Sequence, residues 1–596
     1  QFSLYHPVVR KVISAAAMRE IDRLTTERYA TPSLLLMEAA ADAAAQIIVA
    51  RLSNGASGRR VLILCGRGNN GGDGAALART LSLKGALVEL ILFGRIEDAR
   101  GDARTNFEIV RQLAASAQKN ETASEAAATA QLSFIECADE EAWREFQAAH
   151  KSYDVIVDAL FGTGLTRPLA GVYTLVIEHL AQLRKTRDEQ GDGHPLIVSL
   201  DVPSGLNADE AEPIGDAVEA DLTVTFTAPK PANVLPPASF ANGQLHVAGI
   251  GSPAALLDGD DSQLFLTERE DARAWLEQTR YRPGSYKNTH GHALVIAGSR
   301  QMSGAAVLCG NAAMRAGAGL VTIATPASAL PAVAARVMPE VMTAGLAELN
   351  QATTQATTQA TTQEGQAGTG EPADDARVLS ETAIEQALQL AVRADAVAIG
   401  PGLTSATHIR RLVRAIVEGR TSPVVIDADG LNALAPWPAD LRGTRARPLI
   451  LTPHPGEMRR LTGAQQADGD SHAGRVELAR DFAVAHELVL VLKGARTLIA
   501  APDGRVAINP TGNAGTGTAG AGDTLTGIIT GFVAQSRGAF GDAADVFEAV
   551  VAAVYVAGLA SDLAAQAIGM RALVASDISR HLGAAFRALD PAGERP

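Results

Sequence analysis

A glycine-rich run that ends in an acid is the most distinctive chemical feature of this 596-residue chain. Residues 512–527 read GNAGTGTAGAGDTLTG. A P-loop would close with Lys-Ser or Lys-Thr, whereas Asp523 stands in that place here. Backbone N–H groups at the start of a helix bind phosphate. We therefore expect Gly520, Ala521 and Gly522 to present their N–H groups to an anion.

An aspartate beside such a phosphate site fits phosphoryl transfer to a hydroxyl. That reaction needs stabilisation of charge on the phosphate and a base for the proton of the alcohol, and Asp523 would be the base. Lys493 ends a predicted strand upstream, and a predicted hairpin joins it to the glycine run. The alternative is that Asp523 only caps its helix, since aspartate is a favoured N-cap residue. The upstream lysine favours the catalytic interpretation.

A second group of candidate residues lies in the first half, after predicted strands. The first strand leads into CGRGNNGGDG (65–74), which we expect to open a helix at residue 75. Later strands lead into DALFGTGLTRP (158–168) and DVPSG (201–205). Ligands bind at the carboxyl ends of strands in such sheets. The three loops are therefore predicted to meet at one edge of a sheet.

Three side chains in these loops carry hard oxygen ligands: Asn70, Asp158 and Ser204. So few charges favour a monovalent cation or a loosely held divalent one. Each residue taken singly is better explained as a helix cap or as a turn-stabilising side chain. Three polar or glycine-rich loops at one sheet edge favour a site.

The elements that would position these residues are evenly apolar runs of strand length, each followed by a helical pattern. Such runs suit parallel strands covered on both faces. They are residues 60–66, 87–94, 153–162, 195–205, 221–229, 292–299, 319–326, 395–402, 423–430, 448–457 and 488–495. The chain is therefore predicted to be α/β, with two doubly wound domains.

The boundary between the two domains is predicted from composition. The stretch 251–271 is turn-rich and acidic and is expected to link a domain of residues 1–250 to one of residues 272–596. The polar repeat within 351–375 begins QATTQATTQATTQ. Because such low-complexity sequence cannot bury enough surface to order itself, it predicts a mobile surface insertion.

Composition limits the classes of partner and compartment. The net charge of −14 argues against nucleic acid as a partner. The apolar run 549–560 is too short to span a membrane and is expected to be a buried helix. Cys65, Cys137 and Cys309 match no metal or disulfide spacing, which indicates a reducing compartment. Without a signal-peptide pattern at residue 1, a cytoplasmic location is expected.

The first-half motifs resemble the epimerase domain of the NAD(P)H-hydrate repair enzymes over most of residues 10–250. The resemblance rests on TPSLLLMEAA (31–40), GRGNNGGDG, DALFGTGLTRP and DVPSG. That domain has a Rossmann-like fold and interconverts the R and S epimers of NADHX or NADPHX, the nicotinamide cofactors hydrated at ring position 6. Arg67 stands where the family often has proline.

This resemblance implies specific roles in the first domain. Asp201 would be the acid–base group, and potassium would be held by Asn70, Asp158 and Ser204. Contacts to the hydrated dinucleotide would come from Asn69, Asn70, Gly71, Gly72, Asp73, Gly162, Thr163, Gly164, Leu165, Thr166, Arg167, Pro168 and Asp201.

The second-half motifs resemble the ADP- or ATP-dependent NAD(P)H-hydrate dehydratase, which has a ribokinase-like fold. They are 286–326, AIGPGL, VVIDADGLNAL, LTPHPGEMRRL and G-A-G-D, and the similarity covers most of residues 280–590 apart from the insertion. The family phosphorylates the 6-hydroxyl of the S epimer and then eliminates phosphate, which restores NAD(P)H.

The dehydratase resemblance also implies roles. The hydrate would contact Ala305, Gly402, His454 and Asp523, and ADP would contact Lys493, Gly494, Ala495, Arg496, Thr497 and Gly522, with magnesium bound. His454 taken alone is equally well explained as a structural turn residue. Asp427, Asp429 and Glu457 are assigned only as phosphate or metal neighbours.

The glycine run departs from the family pattern at two alanines. The usual G-N-P-G reads G-N-A-G here, and the usual G-G-[ST]-G-D reads A-G-A-G-D. Ala519 removes backbone freedom before the predicted anion site, and Ala521 removes a hydroxyl. These changes bear on the rate of the reaction more than on the fold.

The sequence thus predicts a bifunctional repair enzyme that acts on NADHX or NADPHX with ADP, and we expect a homo-oligomer. One alternative is a kinase for a small hydroxylated vitamin or sugar, which would leave the first domain unexplained. Another is that the first domain is a non-catalytic binding or dimerisation module.

Overall fold

The computed structural model describes residues 10–120, 132–149, 151–191, 195–350, 377–463 and 472–590. These residues divide into two compact units. The first unit is Lys11–Leu264, and the second begins at Phe265 and includes Arg10. The predicted mobile insertion at 351–375 lies outside the described residues.

The described residues up to 266 form nine strands and eight α-helices. The strands are β1 (Arg10–Lys11), β2 (Arg60–Cys65), β3 (Leu87–Phe93), β4 (Leu132–Cys137), β5 (Val155–Ala159), β6 (Leu196–Leu200), β7 (Leu222–Phe226), β8 (Gln244–Ala248) and β9 (Leu264–Leu266). The helices are α1 (Ala15–Tyr29), α2 (Ser33–Arg51), α3 (Asn69–Leu83), α4 (Gly101–Asn120), α5 (Glu140–Ala148), α6 (Val172–Gln190), α7 (Pro231–Val234) and α8 (Ala254–Asp258), with 3-10 turns at Ile96–Asp98 and Ala238–Asn242.

The first unit is a doubly wound parallel sheet. Its seven strands run in the order β4-β3-β2-β5-β6-β7-β8, and every neighbouring pair is parallel. Side chains alternate along β2, so that Ile63 joins the apolar cluster under α2, α3 and α4 while Leu64 joins the cluster under α5 and α6. The expected α/β class is therefore confirmed for this half.

The helix after β2 begins earlier than the sequence suggested. We expected it at residue 75, but α3 begins at Asn69 and includes both asparagines and the following glycines. A Cβ on Gly71 would lie 1.8 Å from the carbonyl oxygen of Gly66, and one on Gly74 would lie 2.7 Å from Cys65 Sγ. The glycines therefore allow α3 to pack closely on the strand, which outweighs the low helix propensity of glycine.

The second half contains eleven further strands and eleven α-helices among the described residues. The strands are β10 (His292–Ile296), β11 (Leu320–Pro326), β12 (Met342–Leu346), β13 (Glu348–Asn350), β14 (Arg377–Leu379), β15 (Ala396–Ile399), β16 (Val424–Ile426), β17 (Leu449–Leu451), β18 (Val489–Leu492), β19 (Leu498–Ala500) and β20 (Val506–Ile508). The helices are α9 (Arg269–Gln278), α10 (Ser303–Arg315), α11 (Leu330–Ala334), α12 (Glu381–Ala391), α13 (Thr407–Glu418), α14 (Asp429–Ala433), α15 (Pro455–Thr462), α16 (His472–Ala485), α17 (Ala521–Phe540), α18 (Val546–Ile568) and α19 (Ala575–Leu589), with 3-10 turns at Lys287–His290, Ala514–Thr516 and Gly541–Ala543.

The large sheet of the second half is mostly parallel, as predicted. The order β12-β11-β10-β15-β16-β17-β18 is parallel, and the hairpin β19-β20 adds two antiparallel strands before the short β9 and β1. Helix α17 is buried against α10 and α18, with Phe532 stacked on Trp275 at 4.1 Å between ring centroids. Its first turn therefore has a fixed position next to the strand ends.

Within the part of the chain that the structure describes, two helices, α2 and α18, are long and apolar enough to cross a membrane by length and composition alone. Both are core helices. Helix α18 packs through Ala553 and Val556 into the cluster that contains α17, and α2 packs through Ala44 and Ile48 on the first sheet. The expected buried helix at 549–560 is confirmed as part of α18.

Candidate active sites

A cavity of 580 Å³ lies at the carboxyl ends of strands β2, β5, β6 and β7 in the first unit. Its lining includes seven charged side chains. They are Arg19, Asp22, Arg67, Asp73, Asp102, Asp201 and Lys230. The predicted loops contribute Gly68, Asn69, Asn70, Gly162, Thr163 and Gly164, and the apolar lining includes Leu36, Met37, Leu160, Phe161, Phe226 and Ile250.

The carboxylate of Asp201 is held by a buried lysine. Lys230, 1% exposed, donates from Nζ to Asp201 Oδ1 at 2.5 Å, to Thr225 Oγ1 at 3.0 Å and to the carbonyl of Phe226 at 3.1 Å. The hydroxyl of Thr225 also donates to Asp201 Oδ1, at 3.1 Å. A Cβ on Gly162 would lie 3.2 Å from Asp201 Oδ2. Oδ1 therefore already accepts hydrogen bonds from protein donors, whereas Oδ2 faces the glycine loop of the cavity.

The backbone of Asp201 is strained. Its φ is 64°, in the left-handed region that a residue with a Cβ rarely adopts. The backbone N–H of Asp201 donates to the carbonyl of Val224 at 2.7 Å, and Asn233 Nδ2 donates to the carbonyl of Asp201 at 3.1 Å. Such strain persists where surrounding contacts fix it, and it clusters at functional sites.

Two further acids share the cavity with Asp201. Burial raises the pKa of Asp22 to about 6, with Asp201 adding to the shift and Lys230 opposing it. Burial also raises the pKa of Asp73 well above its usual range, with repulsion from Asp201 and Asp22 in the same direction. The cavity therefore contains carboxyl groups with different affinities for a proton, which is a common property of acid–base sites.

Asp158 and Ser204, two of the predicted cation ligands, are in direct contact. Asp158 is fully buried, and its carboxylate accepts from Ser204 Oγ at 2.5 Å, Ser199 Oγ at 2.8 Å, the N–H of Ser204 at 2.9 Å and the N–H of Leu160 at 3.2 Å. Burial raises the pKa of Asp158, and these hydrogen bonds offset part of the rise. None of the ion pairs between described residues includes Asp158. A nearby cation would therefore stabilise its charge.

Asn70, the third predicted cation ligand, has a buried amide without a protein partner. Its Oδ1 and Nδ2 are both buried and make no hydrogen bond to the described residues. A Cβ on Gly162 would lie 3.4 Å from Asn70 Cβ, so the amide lies against the loop that follows Phe161. Phe161 in turn is bonded through its N–H to Ser204 Oγ at 2.9 Å. An unsatisfied buried amide of this kind needs a ligand, an ion or water.

The second candidate site is built around the start of helix α17. Gly520 is its N-cap with φ 86°, and Asp523 lies in the first turn. Burial raises the pKa of Asp523 to about 6, with repulsion from Asp427 and Asp429 adding to the shift and Lys493 opposing it. A carboxyl group with a pKa near neutrality is suited to act as a general base.

Lys493 directly follows strand β18, and its ammonium lies beside the first turn of helix α17. Its Nζ donates to Asp427 Oδ1 at 2.8 Å and lies 3.7 Å from Glu457 Oε2. Thr526 Oγ1 donates to the other oxygen of Asp427 at 2.7 Å, and a Cβ on Gly522 would lie 3.4 Å from Lys493 Nζ. Burial opposes both charges, but their attraction outweighs it and raises the pKa of Lys493 while lowering that of Asp427.

The residues predicted to contact the hydrate in this half lie on three different elements. A Cβ on Gly402 would lie 2.9 Å from Ala305 Cβ, so the loop after β15 contacts the first turn of α10. His454 caps α15, and its Nδ1 accepts from the N–H groups of Gly456 and Glu457 at 3.0 and 3.3 Å. In this tautomer Nε2 carries the hydrogen, and the half-exposed ring can donate it to a ligand.

The residues predicted to contact the nucleotide follow β18. Gly494 and Ala495 are exposed, and Thr497 Oγ1 donates to the carbonyl of Gly494 at 3.1 Å. Arg496 donates from Nη1 to the carbonyl of Pro510 at 2.8 Å. These contacts connect the turn after β18 to the segment that leads into the glycine run.

The glycine run itself is anchored on helix α18. Asp562 accepts from the N–H of Gly512 at 2.9 Å and from Asn513 Nδ2 at 2.9 Å, and Asn513 Nδ2 also donates to Ser561 Oγ at 3.1 Å. Asn513 Oδ1 accepts from the N–H of Gly515 at 3.0 Å. The loop before α17 is therefore positioned by side chains of another helix.

Comparisons with known proteins cover nearly the whole chain. It is 36% identical over 583 residues to the bifunctional NAD(P)H-hydrate repair enzyme Nnr of Moorella thermoacetica, covering 97% of each chain. It is 35% identical to the enzyme of the same name from Thermofilum pendens, again with 97% of each chain covered.

This chain belongs to the family of bifunctional NAD(P)H-hydrate repair enzymes. Two family matches divide it: the NAD(P)H-hydrate dehydratase family matches residues 293–583, and the family described as YjeF-related protein N-terminus matches residues 33–232. A crystal structure of the ADP/ATP-dependent NAD(P)H-hydrate dehydratase from Bacillus subtilis, co-crystallised with ATP and Mg²⁺, is 30% identical and covers 54% of this chain and 98% of its own, with a TM-score of 0.42.

Not every residue predicted to contact the hydrated dinucleotide lines the cavity of this repair enzyme. Gly71 and Gly72 are buried in α3, where a Cβ on Gly72 would lie 2.8 Å from Met37 Cε. The lining contains Gly162, Thr163 and Gly164 but not Leu165, Thr166, Arg167 or Pro168.

Sequence reasoning missed four charged residues of the cavity, Lys230, Asp22, Arg19 and Asp102. Lys230 lies in TAPKP, 29 residues after its partner Asp201, and only the fold brings them together. Asp22 lies on α1 among ordinary helical residues, and its sequence context resembles that of a surface charge. No local pattern distinguished Lys230 or Asp22.

Proposed function

We propose that the chain carries both activities of its family: interconversion of R- and S-NAD(P)HX in the first unit and ADP-dependent dehydration of S-NAD(P)HX in the second. The observation that carries this proposal is the presence of two separate acid–base sites, one in each unit. Asp201 lines the cavity of the first, and Asp523 lies at the phosphate-binding helix start of the second. A hydroxyl kinase would leave the first cavity unexplained.

In the second unit, Asp523 is the base for phosphorylation of the 6-hydroxyl. It takes the hydroxyl proton as the oxygen bonds to the β-phosphorus of ADP and the bond to AMP breaks. The N–H groups at the start of α17 and the ammonium of Lys493 lie where they can stabilise the phosphate charge. The phosphate then leaves carbon 6 with its bonding electrons, and the adjacent ring carbon loses a proton, which the leaving phosphate takes up. The electrons of that carbon–hydrogen bond form the double bond of NAD(P)H.

Magnesium fits this second site as a partner of the nucleotide. Mg²⁺ is usually bound through phosphate oxygens, water and one or two carboxylates, where it neutralises phosphate charge. Both oxygens of Asp427 already accept protein donors, so Asp427 is better placed to hold Lys493 than to bind the ion directly. Across the described residues, no group of three or more His, Cys, Asp or Glu side chains forms a closed metal cage.

Potassium fits the first unit through Asn70, Asp158 and Ser204. The fit rests on the unpartnered amide of Asn70 and on the buried charge of Asp158 beside Ser204. An ion there would fix the loop that contains Gly162 against Asp201. Its removal is expected to slow interconversion of the epimers and to leave dehydration of the S epimer unchanged.

The decisive experiment supplies pure R- and S-NADHX separately to the full chain, with and without ADP, in the presence of magnesium and potassium. Recovery of reduced nicotinamide absorbance should require ADP for both epimers. The R epimer should also be converted to S without ADP, faster than it is spontaneously. If a stable phosphorylated product accumulates without NADH, the small-molecule kinase alternative replaces the dehydratase.

Four further predictions from the sequence are part of this proposal. They are a domain boundary within 251–271, a homo-oligomeric assembly, a cytoplasmic location and the absence of nucleic-acid or membrane partners. The choice between NADHX and NADPHX is open to the same assay.

A further inference from the structure

We propose that Asp22 is a second acid–base group of the first site and works with Asp201 in converting one epimer of the hydrate into the other. This inference rests on the proposed function of that site. It assigns a catalytic role to a residue of helix α1, which lies before the segment that the YjeF-related family matches, residues 33–232.

Asp22 lies in the wall of the same cavity as Asp201. It follows Met18 by one helical turn of α1, and both side chains line the cavity of 580 Å³. Asp201 reaches the same cavity from the end of β6. Two carboxyl groups from different elements therefore face one space that is large enough for the reacting ring.

Asp22 also has an oxygen without a hydrogen-bond partner in the described structure. Its Oδ1 is buried and has no hydrogen-bond partner among the described residues. By contrast, Asp201 Oδ1 accepts from both Lys230 and Thr225. A buried polar atom without a partner is destabilising, so its presence at a cavity wall points to a partner supplied by the ligand.

The difference in hydrogen bonding assigns the two roles. Asp201 accepts two donors, one of them an ammonium, and this pattern suits an ionised carboxylate that acts as the base. Asp22 has no such donors, and burial with repulsion from Asp201 raises its pKa to about 6. Asp22 is therefore suited to hold a proton and to donate it.

The chemistry of the hydrate needs such a pair. Carbon 6 bears both the hydroxyl and the ring nitrogen, so it is a hemiaminal. Asp201 takes the hydroxyl proton, the oxygen electrons form a carbonyl, and the electrons of the carbon–nitrogen bond move to the nitrogen, which takes the proton of Asp22. After rotation of the aldehyde, the nitrogen attacks its other face and returns a proton to Asp22, while the oxygen regains one from Asp201. All atoms and charges are restored, and no other reactant is needed.

The other charged groups that face this space are Arg19, Arg67, Asp73, Asp102 and Lys230. Asp73 is the competing candidate for the acid, because burial and both neighbouring acids raise its pKa well above the usual range. The test must therefore distinguish the effect of replacing Asp22 from the effect of replacing Asp73.

The experiment compares the full-length variants D22N, D22E and D73N with the matched control E20Q. Glu20 is exposed on the same helix and bonds only to Arg23 in the described structure. D22N should lower kcat for R-to-S interconversion by about 10²-fold or more, with KM changed far less. It should also remove the loss of rate that occurs as pH rises through about 6. D22E should restore part of that pH dependence, and E20Q should behave as wild type.

Dehydration of S-NADHX by the same proteins is the internal control and should be unchanged. A wild-type chain that fails to interconvert the epimers would remove the proposed function itself. A folded D22N with wild-type kcat, or one that retains the pH dependence while D73N loses it, would overturn the role of Asp22. If D22N is misfolded, a folded D22E that lacks the pH dependence would overturn it as well.

Discussion

Each unit pairs a lysine with an aspartate, but the buried member is the lysine in the first unit and the aspartate in the second. Lys230 bonds to Asp201 at 2.5 Å, and Asp201 itself lines the cavity of the first unit. Lys493 bonds to Asp427 at 2.8 Å, and Asp427 is only 1% exposed. The acid at the second helix start, Asp523, is a different residue with a pKa of about 6.

The difference follows from what each site must stabilise. In the first site the lysine orients the proposed acid–base group, so the positive charge lies behind the carboxylate. In the second site the aspartate orients the lysine, so the positive charge remains beside Gly522 at the proposed phosphate site. The same kind of pair would thus position a proton-transfer group in one unit and an anion-binding group in the other.

Removing the base of the second site should give the largest effect. We expect D523N to lower kcat for dehydration of S-NADHX by about 10²- to 10⁴-fold, because asparagine cannot take the hydroxyl proton. Its free energy of unfolding should not fall, since a buried carboxylate repelled by Asp427 is removed. The matched control is D542N, an exposed aspartate just after the same helix. Unchanged dehydration by D523N would contradict its role as the base.

Breaking the two lysine pairs tests the comparison directly. K493M leaves Asp427 buried without its ammonium and should lower the free energy of unfolding by about 3–5 kcal/mol. K230M should cost less, because the side chain of Asp201 is 14% exposed to water, whereas that of Asp427 is 1% exposed. Urea titration of both variants measures the difference.

The double variant K493M/D427N is the control for this pair. It removes both charges, so it should regain most of the lost stability without regaining dehydration. Equal stability losses in K493M and K230M would contradict the proposed difference between the pairs.

Two glycine substitutions should have different effects, one on the stability of the fold and the other on ADP binding. G71A places a Cβ 1.8 Å from the carbonyl oxygen of Gly66 and should destabilise the first unit by about 1–3 kcal/mol or more. G522A places a Cβ 3.4 Å from Lys493 Nζ, which the fold can accommodate, so it should weaken ADP binding with little loss of stability. Thermal unfolding and the KM for ADP distinguish the two, and a stable G71A would contradict the packing argument.

The two sites should respond to pH in opposite directions. Asp523 must be ionised, so kcat for dehydration should rise about tenfold per pH unit below about 6 and level above it. Its folded pKa lies above the unfolded value of 3.8, so its contribution to stability is greatest at low pH and is lost as pH rises through about 6. Interconversion of the epimers should instead slow as pH rises through about 6. Parallel profiles for both activities would contradict the assignment.

The sequence predicted the parts of the sites that depend on local patterns. The glycine-rich loops and acids at strand ends gave Asp201, Asp523 and the α/β class, because turns, strand ends and helix starts have characteristic residue types. The partner of Asp201 was not predictable. Lys230 lies 29 residues after Asp201, and no pattern in one segment indicates which distant side chain it will meet.

The start of helix α3 was predicted wrongly from local sequence. Glycine at this density suggested a loop at GNNGGDG, whereas these residues form the first turns of the helix. Close contacts of Gly71 and Gly74 with Gly66 and Cys65 explain the difference, because tertiary packing overrides the intrinsic preference of glycine. The same contacts explain why Gly71 and Gly72 do not line the cavity.

The central claim is that one chain carries two independent activities, and mixing two inactive variants tests it most directly. With ADP and R-NADHX, D201N and D523N should each fail to restore NADH above the spontaneous rate, for different reasons. An equal mixture of the two proteins should restore recovery, because S-NADHX made by D523N is dehydrated by D201N. If D201N alone recovers NADH from the R epimer at the wild-type rate, or if the mixture recovers none, the account is wrong.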